Sequence, residues 1–99
     1  MTNVSAEQKE RTVMMTSGVA VQHSHSEVVV WCKEYIARTL NLSIDRVDPS
    51  AEFDALGVDS AAAVALVMDI GAWLDRDIEP ATMFEYPTIS SFAEYLTRQ

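Results

Sequence analysis

Leu56-Gly57-Val58-Asp59-Ser60-Ala61-Ala62-Ala63-Val64-Ala65 is the stretch on which the fold turns. Gly57 suits a left-handed turn, Asp59 and Ser60 are both good helix N-caps, and the alanines that follow are among the best helix formers. This predicts a helix over 60–74, with Val64, Val67, Met68, Gly71 and Leu74 on its inward face. Ala61 and Ala65 lie beside that face, where small side chains admit another surface. Gly71 costs helix stability, so a close approach of a neighbouring helix is expected there.

Upstream, a helix is predicted over 27–40, with Ser26 as N-cap and Glu27 at the positive end of its dipole. Val29, Cys32, Ile36 and Leu40 make its apolar stripe, and Val28, Trp31 and Tyr35 widen it. Residues 41–59 form a long connection, punctuated by Pro49 and Gly57. Leu42, Ile44, Val47, Phe53, Leu56 and Val58 are more apolar side chains than a bare surface loop needs, so the connection is expected to fold back and pack. Downstream, residues 81–85 read as a short helical turn between Pro80 and Pro87. Thr88 then caps a last helix whose buried face is Ile89, Phe92, Ala93 and Leu96. The fold class is therefore all-α: three main helices and a short one, with a long loop between the first and second.

A chain of 99 residues is one domain at most. Residues 1–25 lack periodicity and read as a flexible N-terminal extension, leaving 26–99 as the domain. His23 and His25 flank Ser24 in that extension; a solvated tail is the plainer reading of the pair, and no metal site is expected. Seven basic residues oppose fifteen acidic ones, a formal charge of -8. Such a field repels nucleic acid and anionic membrane surfaces and steers basic protein patches, though it also serves plain solubility. Cys32, the only cysteine, excludes an internal disulfide and reads as a buried hydrophobe. No apolar run approaches the roughly 20 residues of a membrane span, and a cytoplasmic monomer is expected.

Two readings fit Gly57-Val58-Asp59-Ser60. The first is an ordinary cap, contributing about 1 kcal/mol, and the four residues alone favour it. The second is a serine hydroxyl presented at a helix N-terminus, where unpaired N–H groups favour phosphate and Asp59 offers a carboxylate for a metal ion during phosphoryl transfer. A nucleophilic hydrolase is a poor fit, because the histidines lie far away in sequence and Val58 and Ala62 replace the glycines of a nucleophile elbow. No catalytic residue is expected.

Beyond these local signals, the segment 47–96 resembles the acyl carrier and peptidyl carrier domains of fatty-acid, polyketide and nonribosomal-peptide assembly. The resemblance rests on Asp48-Pro49 with Phe53, Leu56-Gly57-Val58-Asp59-Ser60, Trp73-Leu74, Ile78-Glu79-Pro80, Phe84-Glu85-Tyr86-Pro87-Thr88-Ile89 and Phe92-Ala93-Leu96. It implies a four-helix carrier bundle with 4′-phosphopantetheine on Ser60 and Asp59 as the acidic neighbour that assists its transfer. The implied partners are a phosphopantetheinyl transferase, an acyl-loading enzyme (an adenylate-forming ligase or acyltransferase) and a ketosynthase or other biosynthetic enzyme. They would meet Val58, Ala61, Val64, Met68 and Met83. The segment from Phe84 to Ile89 looks most like polyketide-type carriers, with a peptidyl carrier or an unmodified helical adaptor as the alternatives. Two departures from the family pattern stand out: Ala61 replaces the usual leucine after the modified serine, and Asp69 is the sole acid between Ser60 and Leu74.

Overall fold

The computed structural model describes residues 23–98. Its elements are α1 (His25–Leu40), a 3-10 turn (Ile44–Arg46), α2 (Phe53–Leu56), α3 (Ser60–Leu74), α4 (Thr82–Glu85) and α5 (Ile89–Thr97). Among the described residues there is no strand, only an isolated bridge between Glu52 and Thr88. The all-α expectation holds, with α2 as an added element.

The N-cap of α1 is Ser24, two residues before the expected Ser26. Ser24 and Glu27 form a reciprocal capping box: the Glu27 N–H donates to Ser24 Oγ (3.1 Å) and the Ser24 N–H to Glu27 Oε1 (2.9 Å). His25 is therefore helical, and its Nε2–H donates to the Ser90 carbonyl of α5 (3.2 Å). The most buried line of α1 is Val28, Cys32, Ile36 and Ala37, against which α5 packs through Ile89, Phe92, Ala93 and Leu96. Burial pushes the Cys32 thiol up to about 12. Thr88 caps α5 as expected, with the Ser91 N–H donating to Thr88 Oγ1 (3.0 Å).

The long connection does fold back, though only in part. Val47, Phe53 and Val58 enter the core, Leu56 packs at its edge, and Leu42 and Ile44 stay exposed. Phe53 meets Phe92 edge to face at 5.9 Å. Backbone bonds fasten the connection to the start of α5: the Phe53 N–H donates to Pro87 O (2.8 Å), and the Ser90 N–H to Pro49 O (3.0 Å).

The inward face of α3 differs from the expected one. Leu66, Val67, Ile70 and Gly71 are buried, whereas Val64 and Met68 are 42% and 69% exposed. Apolar residues occupy nearly every position of this helix, so periodicity gives no phase. Gly71 is closely approached, but by the turn that ends its own helix rather than by a neighbouring helix. A Cβ there would lie 2.7 Å from the Arg76 carbonyl oxygen, and the Arg76 N–H donates to Gly71 O (2.9 Å).

Candidate functional site

Three local features place Ser60. Gly57 ends α2 with φ 98°, a left-handed conformation that a side chain would strain. Val58 then buries and donates its N–H to Phe53 O (2.9 Å), which anchors the turn. Asp59 follows in extended conformation and caps α3, its Oδ1 accepting from the Ala62 N–H (2.9 Å) and its carbonyl from the Ala63 N–H (2.8 Å). The choice of cap between Asp59 and Ser60 thus falls to Asp59.

Ser60 is consequently the first residue of α3 and is exposed, with its hydroxyl released from capping duty. The N–H groups of Ser60 and Ala61 precede the first intrahelical acceptors, so the positive end of α3 lies beside that hydroxyl. An esterified phosphate on Ser60 Oγ fits this setting: an exposed hydroxyl, two neighbouring N–H donors and a favourable dipole. Beside Ser60 opens a groove of about 580 Å³. Phe53, Val58, Ala63, Met83 and Pro87 supply its apolar lining, and Glu52, Asp54 and Asp59 bring carboxylates to it.

Of the five expected partner-surface residues, Ala61, Val64 and Met68 are exposed. Val58 and Met83 are largely buried, at 9% and 4% exposure, and reach the surface only as lining of the groove. Val58 is held inward by its anchoring role, and α4 directs Thr82 and Met83 to the core. The outward position of α4 belongs to Phe84, 78% exposed on the groove, a surface role with little sign in the sequence. Its signal was faint: an aromatic one step beyond a buried pair in a four-residue helix.

The histidines do not reach Ser60. His23 stacks on Trp73 at 4.0 Å between ring centroids, and Trp73 in turn lies 5.5 Å from Trp31. These rings line a separate groove over α1 and the end of α3. Among the described residues, no histidine or lysine lines the groove beside Ser60, whose titratable side chains are the carboxylates of Glu52, Asp54 and Asp59. Among the described residues, no cluster of His, Cys, Asp and Glu is arranged to hold a metal ion, and no helix is long and apolar enough to cross a membrane.

Comparison with known proteins gives a consistent result. The chain is 34% identical over 70 residues to polyketide synthase PksL of Bacillus subtilis, covering 71% of this chain and 2% of that protein. It is 35% identical over 66 residues to a phenolphthiocerol/phthiocerol polyketide synthase of Mycobacterium tuberculosis, covering 67% of this chain and 4% of the relative. The chain thus spans a few per cent of the length of these relatives. Among solved structures, a free-standing peptidyl carrier protein from Acinetobacter baumannii superposes with a TM-score of 0.71 at 26% identity, covering 74% of this chain and 91% of the other. An acyl carrier protein from Anabaena with a variant phosphopantetheinylation-site sequence does so with a TM-score of 0.71 at 28% identity, covering 80% and 91%. The family model described as "Phosphopantetheine attachment site" matches residues 31–96, a span that contains the Gly57 turn and all of α3. On that match the chain belongs to the phosphopantetheine attachment site family, whose members carry 4′-phosphopantetheine covalently on a serine.

Proposed function

We propose that Ser60 is the serine that bears the arm, and that the chain carries acyl intermediates for a polyketide-type biosynthetic system. One observation supports this reading above the others: Asp59 takes the capping role, leaving Ser60 exposed at the head of α3 with its hydroxyl not needed as the cap. In the attachment, Ser60 Oγ forms the new bond to phosphorus, coenzyme A releases adenosine 3′,5′-bisphosphate, and the hydroxyl proton passes to a base on the transferase. With Oδ1 on the cap, Asp59 would have Oδ2 to offer a metal ion, which would supply charge neutralisation during the transfer. The arm supplies a terminal thiol that holds cargo as a thioester. The chain itself is the transferase's substrate and thereafter a shuttle.

The polyketide synthases among its relatives favour an acyl cargo over an aminoacyl one. Loading would then come from an adenylate-forming ligase or an acyltransferase, and unloading from a ketosynthase or another enzyme of the same system. Dependence on coenzyme A accords with a cytoplasmic setting. The carrier unit acts as a monomer whose first helix begins at the Ser24 cap, with residues 1–23 preceding that cap.

The test is intact mass after incubation with coenzyme A, Mg²⁺ and a promiscuous phosphopantetheinyl transferase. The wild type gains one phosphopantetheine; Ser60→Ala gains none and keeps its helical circular dichroism. A gain by the alanine variant, or none by the folded wild type, overturns the assignment.

A further inference from the structure

Ser60 divides its surroundings by chemistry. Along α3, the outward residues Ala61, Val64, Ala65 and Met68 are exposed and uncharged. Asp69, the one carboxylate of α3, is exposed as well, but its Oδ2 accepts from the Tyr35 hydroxyl (2.7 Å), which ties it to the α1 side. Across the groove the chemistry reverses. Glu52 and Asp54, both exposed, open α2 and line the same groove as Ser60.

We infer that the phosphopantetheinyl transferase docks on a two-part seat in which the charge comes from α2 and the apolar contact from α3. This rests on the reading of Ser60 as the attachment point. An enzyme that reaches Ser60 Oγ must cover both flanks, so its surface has to match both. The partner surface that fits carries Lys or Arg opposite Glu52 and Asp54, and an uncharged recess for Val64 and Met68. With a formal charge of -8 the chain steers a basic partner from a distance, yet the one carboxylate of α3, Asp69, is bonded to Tyr35 of α1. The ionic contacts nearest Ser60 therefore fall to the groove wall. Asp59, the remaining carboxylate of the groove, holds the cap with Oδ1, and the proposed attachment reserves its Oδ2.

The experiment measures kcat/KM for attachment by a promiscuous phosphopantetheinyl transferase at fixed Mg²⁺, in about 0.05 M and about 0.5 M salt. For Glu52→Gln/Asp54→Asn, kcat/KM falls on the order of tenfold at low salt and converges on wild type at high salt. Val64→Ser/Met68→Ser loses rate equally at both salts. Asp69→Asn follows wild type throughout. Thermal melts check folding, and the single exposed substitution Asp54→Asn carries the same readout if the double variant melts early. An Asp69→Asn variant that shows the salt-dependent loss, or a Glu52→Gln/Asp54→Asn variant that matches wild type at low salt, overturns the two-part seat and leaves the carrier reading untouched. Failure of wild type itself to load overturns the carrier reading instead.

Discussion

Replacing Gly71 by alanine puts a carbon atom 2.7 Å from the Arg76 carbonyl oxygen, closer than Cβ atoms approach an oxygen without displacement. That oxygen is backbone, held where the Arg76 N–H closes the turn on Gly71, so the helix end itself has to shift. Alanine's better helix propensity returns about 1 kcal/mol, while overpacking costs about 1–3 kcal/mol. The expected outcome for Gly71→Ala is a lower melting temperature; an unchanged or raised one would show that the turn relaxes freely. Gly57 is constrained differently. Its φ of 98° is what any side chain resists, although the nearest atom to an added Cβ, Leu40 Cδ1, is a comfortable 3.6 Å away. Both glycines bound segments that hold Ser60 or the helix behind it, one by conformation and one by space.

At the scale of elements, the start of α1 offers a direct test of which serine is the cap. Ser24→Ala removes the Oγ that accepts from the Glu27 N–H, leaves only the backbone half of the capping box, and is expected to cost about 1 kcal/mol, whereas Ser26→Ala, exposed and inside the helix, is expected to be neutral. Equal melting temperatures for the two variants would refute the assignment. The Ser24-His25-Ser26-Glu27 spacing carried this box in plain sight, but Ser26 stands nearer the apolar stripe and competes for the same role. Cap chemistry is local, which is why the bounds of α3 and the Thr88 cap of α5 could be read from residues alone. The four-residue α2 could not, being too short to display any period. Nor could the phase of α3, because a helix apolar on every side is oriented by what packs on it. The start of α3 at Ser60 was legible for the same local reason as the caps, whereas the role proposed for Ser60 came from the resemblance, since those four residues alone read as a cap. The burial of Val58 and Met83 and the exposure of Phe84 were not, since tertiary packing decides which side of a single turn faces the core.

For the whole molecule, α1 and α5 meet over Val28, Cys32, Ile36 and Phe92, and this core sets the response to alkali. Burial holds the Cys32 thiol neutral up to about 12, against an ordinary value of 9.0. Above pH 9.0 the unfolded chain loses that proton while the folded one keeps it. The associated stability is intact below 9.0 and is lost progressively as the pH rises toward about 12. Tyr35, raised by burial and by its bond to Asp69, acts in the same direction. In denaturant titrations between those limits, the unfolding free energy of wild type should fall more steeply with pH than that of Cys32→Ala, by about 1.4 kcal/mol per pH unit. Parallel slopes would mean that the thiol ionises in the folded state. The same burial has a consequence for whatever the protein holds. Acyl groups migrate between sulfur atoms by thiolate attack, and a carrier with a reactive cysteine of its own would be a competing acceptor for its cargo. The lone thiol of this polypeptide is both shut away and protonated, so it offers the cargo no second resting place, and a maleimide applied to the folded protein would report the arm alone.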